Sequence, residues 1–324
     1  MRSSSELFTA RLEGAEVHGD LAEDIYLLKP DNSQDPSVEI AITRLSPARK
    51  QYEESIDHDR TPIVLVHGSF TNRRFWLSPK GWGLSAYLVK QGFDVWMPEM
   101  RGHGLSPQNN DYRSNSVYHY AKYDLPAINS FIYEQTGHSP HWLGHSLGGL
   151  TIAASLAAGW LKQDQVASAV LMACQVSKAH WAIKLPMING ICRMWFARKR
   201  FLSPKGLNNG TEMEPSGIVT EHLYWHRLFG GWKAKDGTDY WNGLKSVKIP
   251  VMGIGSDGDK GDPSRYCELL FNHFASSKTR YICLSGRNEK SRLFGHVDMV
   301  VSREAEKEVW PLISRWVSDL DKVA

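Results

Sequence analysis

Cysteine is scarce in this chain. Four are spread over 324 residues, at Cys174, Cys192, Cys267 and Cys283, with no C-x-x-C pair and no histidine at metal-ligand spacing. That excludes a disulfide framework and a cysteine-built metal centre. It fits buried thiols in a reducing compartment, so a cytoplasmic protein with no metal is expected. Charge of one sign is also lacking: the net charge is +3 without a long basic run, which is too little to favour nucleic acid. No stretch of about 18 uncharged apolar residues occurs, which argues against a spanning helix. The opening Met1-Arg2-Ser3-Ser4-Ser5-Glu6 runs into Glu13, Glu16 and Asp20 with no apolar stretch, so no secretory signal is read there. Repeats and low-complexity tracts are missing as well. What is present is an ordinary globular composition, 42% hydrophobic and 23% charged. It suffices for a sizeable core in one large domain or two small ones. Nothing in it speaks to oligomeric state.

Residues 25–45 hold two strand-like runs, Ile25–Leu28 and Val38–Thr43, separated by the turn-forming Lys29-Pro30-Asp31-Asn32-Ser33. Further on, short apolar runs recur at Ile63–Val66, Val95–Met97, Trp142–Leu143, Ala169–Met172, Val251–Ile254 and Tyr281–Leu284. Helix-length segments lie between most of them, at about 76–90, 124–135, 147–160, 265–274 and 303–320. Strands alternating with helices imply an α/β fold with a mostly parallel sheet covered on both faces. Asp124 is placed to cap the helix that begins Leu125-Pro126, and Gly92 and Gly137 to end the helices before them.

One stretch breaks the alternation. Residues 175–246 contain no clear strand and are rich in aromatic, methionine and basic residues, among them Trp181, Met187, Trp195, Phe196, Phe201, Trp225, Trp232 and Trp241. This predicts a helical cap inserted into a core made of residues 1–174 and 247–324. The twelve tryptophans read as packing in core and cap, with an apolar substrate surface as the alternative.

Gly144-His145-Ser146-Leu147-Gly148 carries the most information. A serine between two glycines, after an apolar run and before a small-residue helix, suits a sharp strand-to-helix turn that exposes its Oγ. The N-terminus of the following helix favours negative charge developing beside it. His67-Gly68, Gly92–Trp96, Arg101-Gly102-His103-Gly104, Gly144–Gly148 and Gly295-His296 occur together in an order and spacing that resembles the α/β-hydrolase superfamily over about residues 60–320. Ala121-Lys122-Tyr123-Asp124-Leu125-Pro126-Ala127 resembles the acid-lipase and cholesteryl-ester-hydrolase branch. Arg101–Gly104 instead resembles monoglyceride lipases and general esterases, and the cap is shorter than in acid lipases.

The resemblance implies a triad in the chain order serine, acid, histidine, and carboxylic-ester hydrolysis through an acyl-enzyme. Ser146 is the nucleophile. His296 follows the last predicted strand on a loop able to fold back over the serine. The acid comes from Asp257, Asp259 or Asp262 just past the Val251–Gly255 strand. Asp259 is preferred and Asp257 second, while Asp262 beside Pro263 reads as a cap for the helix at 265–274. Backbone N–H groups of Leu147 and of Ser69, with Phe70 the alternative to Ser69, would bind the oxyanion. Phe70, His145 and Trp225 are read as substrate-binding, and Arg101–Gly104 as a structural turn. No cofactor is needed.

The expected substrate is a small-molecule or lipid ester with an apolar acyl chain. Arg193, Arg198, Lys199, Arg200 and Lys205 beside Trp195, Phe196 and Phe201 suggest a cap that touches an anionic membrane, against the plainer reading of a solvated basic face. A cofactor-free haloperoxidase or an acyltransferase would use the same triad, and a non-catalytic binder could keep the scaffold.

Overall fold

Alternate residues of the short apolar strands are buried in opposite directions. On β4 (Pro62–Val66), Val64 and Val66 join one core cluster while Ile63 and Leu65 join the other, so the sheet is covered on both faces. The computed structural model describes residues 9–48, 60–204, 210–286 and 293–322.

Nine strands form one sheet in the order β1-β2-β3-β5-β4-β6-β7-β10-β11. β1 (Ala10–His18), β2 (Leu21–Leu28) and β3 (Ile40–Pro47) pair antiparallel, and β3 runs antiparallel to β5 (Asp94–Pro98). From β5 onward every pairing is parallel, through β4, β6 (His141–His145), β7 (Ser168–Met172), β10 (Val251–Ser256) and β11 (Thr279–Leu284). Chain order reverses around β4: β5 lies on one side of it and β6 on the other. In a sheet of this kind that reversal opens a crevice at the carboxyl ends of the strands.

On one face pack α2 (Leu125–Thr136) and α3 (Leu147–Ala157), through Ile128, Ile132, Ile152 and Leu156. On the other pack α1 (Leu84–Lys90) and the C-terminal helix Trp310–Asp321, through Leu84, Leu88, Ile313 and Val317.

Some elements differ from the sequence reading, each for a local reason. β1 was not expected: most of it is exposed, so it lacks the apolar alternation that marks a strand. Helix 76–90 shrinks to Leu84–Lys90, because Ser78-Pro79-Lys80-Gly81 forms a turn in which the Gly81 amide donates to the Ser78 carbonyl at 2.9 Å. The C-terminal helix divides into Arg303–Glu308 and Trp310–Asp321, where Pro311 removes a ladder donor. Asp124 makes no capping hydrogen bond. A π turn, Tyr120–Asp124, runs straight into α2, and the Asp124 carboxylate instead receives the buried Arg101 guanidinium at both oxygens. Gly137 ends α2 in the left-handed conformation, φ 74°.

Between β7 and β10 the chain leaves the sheet. This insertion holds α4 (Pro186–Ala197), α5 (Ser216–Trp225), α6 (Tyr240–Leu244) and, beyond expectation, a pair of two-residue strands, β8 (Phe201–Leu202) and β9 (Glu214–Pro215). The strand pair escapes the sequence because two residues show no periodicity. Among the described residues no helix is long and apolar enough to cross a membrane.

Candidate active site

Ser146 stands at the carboxyl end of β6, with φ 53° and ψ −119°. A non-glycine residue there carries strain of about 1–3 kcal/mol, which persists only where the surroundings over-determine it. They do. Its amide donates to the Met172 carbonyl at 2.8 Å, and its carbonyl accepts the Leu150 amide at 3.0 Å to begin α3. The flanking glycines are required by close approach. A Cβ at Gly144 would lie 2.5 Å from the Gly149 nitrogen, and one at Gly148 would lie 2.3 Å from the Val66 oxygen. The Leu147 amide heads α3, where no preceding turn offers it an intrahelical acceptor.

The loop after β4 passes beside this turn: a Cβ at Gly68 would lie 3.2 Å from the Ser146 Cβ. His67 anchors the loop from below. It is fully buried, its Nδ1–H donates to the Gly68 carbonyl at 2.9 Å, and its Nε2 accepts the Met100 amide at 3.1 Å. Burial, helped by neighbouring His103, pushes its pKa down to about 3, so it is neutral. Phe70 has φ 59°, and its amide donates to Glu214 Oε1 at 2.6 Å. That amide is therefore occupied by a side chain of the insertion. The structure ties down the backbone of Phe70.

Of the three aspartates past β10, only Asp259 meets the histidine closely. His296 Nδ1 donates to Asp259 Oδ2 at 2.7 Å, while Asp259 Oδ1 accepts the amides of Gly261 and Asp262 at 2.8 and 2.9 Å. Burial drives the Asp259 carboxyl upward, but the His296 contact and the two amides outweigh it and hold the pKa below the ordinary value. For His296, burial works downward and the Asp259 hydrogen bond and charge work upward, with a net rise. Asp257 is exposed and accepts the Cys283 thiol at 3.4 Å. Asp262 does not cap α7 (Ser264–Phe271): its carboxylate accepts Gln175 Nε2 at 2.9 Å and stands 3.8 Å from His296 Nδ1, a second acid behind the first. Gln175 and Asp262 have no motif to announce them.

His145 and Trp225 sit elsewhere than a substrate surface. His145 is buried between the rings of Phe75 and His296, both at 4.7 Å, and its Nε2–H donates to the His296 carbonyl at 2.8 Å. Burial beside His296 pushes its pKa down to about 3. A neutral imidazole one residue before the serine thus braces the histidine loop. Trp225 is 4% exposed, its indole N–H donates to the Lys233 carbonyl at 2.9 Å, and its ring meets Trp232. Apolar packing inside the insertion already uses the ring, leaving it little face for a ligand.

Sheet order, strand-end loops and the turn at Ser146 decide the fold. The chain has the α/β-hydrolase fold. A family model described as alpha/beta hydrolase fold matches residues 61–200. Triacylglycerol lipase 2 of Arabidopsis thaliana is 36% identical over 121 residues, which are 35% of this chain and 29% of the plant protein. The chain thus matches under a third of the length of such curated relatives. Among solved structures, a thioesterase domain from the curacin biosynthetic pathway superposes with TM-score 0.59 at 14% identity, covering 89% of this chain and 99% of that one. A monoacylglycerol lipase from Paleococcus ferrophilus gives 0.55 at 18% identity, covering 80% and 94%. In this α/β-hydrolase fold the loop after β4 carries Ser69, the end of β6 Ser146, the loop after β10 Asp259, and the loop after β11 His296.

Proposed function

We propose that this chain is a serine hydrolase that cleaves carboxylic esters through an acyl-enzyme. The observation that supports this most is the His296–Asp259 contact of 2.7 Å on a loop braced by His145, the neighbour of a strained Ser146. Ser146 Oγ attacks the ester carbonyl as His296 Nε2 takes its proton. Asp259 holds the ring with Nδ1 protonated and stabilises the imidazolium. The amides of Leu147 and Ser69 bind the oxyanion. His296 then gives its proton to the leaving alcohol, and water repeats the cycle on the acyl group.

An apolar acyl chain is the favoured substrate part. The insertion supports this with a wide apolar surface: Trp181 is 69% exposed, Met187 77%, Trp195 53% and Phe229 94%. Met187, Ile191, Met194 and Trp195 share one face of α4, and Arg198, Lys199 and Arg200 follow its end, with Lys199 Nζ 4.4 Å over the Trp195 ring. Exposed apolar side chains rimmed by cations suit an anionic lipid surface, at which the insertion acts as cap and anchor. Lys205, the remaining cation of that group, lies outside the described residues. Cys174, Cys192 and Cys267 are free thiols, which fits a reducing, cytoplasmic setting. Fluorophosphonate labelling lost in Ser146→Ala, with p-nitrophenyl esters from acetate to palmitate as substrates, tests the reading. An unlabelled, inactive wild type would overturn it.

A further inference from the structure

The loop after β4 is tied to the insertion by a buried carboxyl that the mechanism above does not use. Glu214, 1% exposed, comes from β9 and accepts the Phe70 amide at 2.6 Å and, at the same Oε1, His103 Nε2 at 3.2 Å. The other face of the same residue is held as well: the Phe70 carbonyl accepts the amides of Thr211 and Glu212, both at 2.9 Å. Gly210 closes over it so tightly that a Cβ there would lie 2.1 Å from the Phe70 oxygen. Asn72 donates to the Glu212 carboxylate, and the Tyr112 hydroxyl donates to the Met213 carbonyl at 2.9 Å. Residues 210–214 thus hold Phe70, Asn72 and Tyr112 together.

Phe70 is kept at φ 59°, a conformation disfavoured for a residue with a Cβ, by bonds at both its N–H and its carbonyl. Glu214 Oε2 is buried without a hydrogen-bond partner among the described residues. Burying a carboxyl with one oxygen unsatisfied is a poor device for stability alone, since an apolar side chain would serve better. On the far side, His103 is wholly buried; burial lowers its pKa, but the Glu214 charge and hydrogen bond raise it further, with a net rise. The imidazole is therefore held as the carboxyl's donor.

We propose that Glu214 is a positioning residue: by holding the Phe70 amide, with His103 behind it, it sets the preceding Ser69 amide in place beside Ser146, so the oxyanion site is complete only when the insertion is docked. This rests on the reading of Ser146 as nucleophile. It gives the histidine of Arg101-Gly102-His103-Gly104 a task beyond shaping a turn.

The test compares Glu214→Ala, Glu214→Asp and Glu214→Gln in the full chain, with kcat and KM on a short soluble p-nitrophenyl ester, the rate of fluorophosphonate labelling, and Tm. Gln keeps the reach and an acceptor for the Phe70 amide. Asp keeps the charge but falls one methylene short. Expected is a loss of about 10²-fold in kcat for Ala and Asp with KM within about threefold, the size seen when one oxyanion donor is lost, and labelling slowed in parallel. Gln should recover at least tenfold over Asp. A kcat for Asp at or above that of Gln would overturn the proposal, as would losses that merely follow Tm. If the Ala variant does not fold, Gln against Asp still decides. A wild type that labels and turns over, beside an inert Ser146→Ala, separates a failure here from a failure of the hydrolase reading.

Discussion

Two loops meet at Ser146, and they are held by different parts of the molecule. The histidine side is fastened to the core. Asp259 follows β10, its carboxylate is held by two amides of its own loop, and His145 at the end of β6 holds the His296 carbonyl. The side bearing Ser69 is fastened below to the core through His67, but above to the insertion through Glu214, Thr211 and Glu212. In the proposed mechanism the Asp259–His296 pair is thus as rigid as the sheet, whereas the Ser69 amide is as rigid as the contact between core and insertion. Preorganised donors are worth more than donors that must be ordered during reaction, so the second attachment is where turnover can be tuned.

The largest effect falls where both sides converge. Ser146→Ala should reduce kcat by about 10⁴- to 10⁶-fold with the fold intact, checked by steady-state kinetics beside an unchanged Tm. A near-normal rate would remove the serine from the mechanism.

Striking the core-held side alone comes next. Asp259→Asn should reduce kcat by about 10³- to 10⁴-fold. Asp259 raises the pKa of His296, so its loss lowers that pKa, and the acid limb of the kcat/KM–pH profile should move to lower pH. The shift should be partial, because Asp262 also raises it. Asp257→Asn should change neither rate nor profile. A fixed acid limb in Asp259→Asn would assign the tuning elsewhere.

On the insertion-held side, Gly210→Val forces the Phe70 carbonyl away. Turnover of a short ester should fall by roughly ten- to a hundredfold, with about 1–3 kcal/mol lost in stability from overpacking. The acid limb should stay where it is, which distinguishes this side from the first. If the limb moves as in Asp259→Asn, the two attachments are not independent.

The smallest effect on soluble esters is expected at the exposed face of α4. Met187→Ser with Trp195→Ser should leave short-ester kcat within about twofold, yet weaken binding to anionic vesicles by tenfold or more, since each buried apolar side chain is worth about 1.5–3 kcal/mol. Equal vesicle binding by variant and wild type in co-sedimentation would return that face to solvent.

The strand–turn–helix at Ser146 was legible because its constraints are local: a short apolar run, glycines where backbones cross, and small residues in the helix behind. The same holds for the parallel strands, whose burial on both faces writes itself as unbroken apolar runs. Helix 76–90 and the cap at Asp124 failed for the converse reason. Pro79 and Gly81 override an apolar pattern, and Asp124 serves an arginine 23 positions away rather than its own helix. Trp225 looked like a ligand surface because aromatic content does not say which way a ring faces.

By itself, then, the sequence determined the succession of the parallel strands, the turn at Ser146, and the histidine loop placed to follow the last strand, since each depends on residues adjacent in the chain. Only the tertiary structure distinguished Asp257, Asp259 and Asp262, which lie within six positions of each other: Asp259 meets His296 Nδ1 at 2.7 Å, Asp262 stands 3.8 Å from it, and Asp257 is exposed. It also decided the link between Phe70, His103 and Glu214. Phe70 and Glu214 are 144 positions apart, and no local pattern reports a hydrogen bond that exists only once β4, β5 and the insertion have packed together.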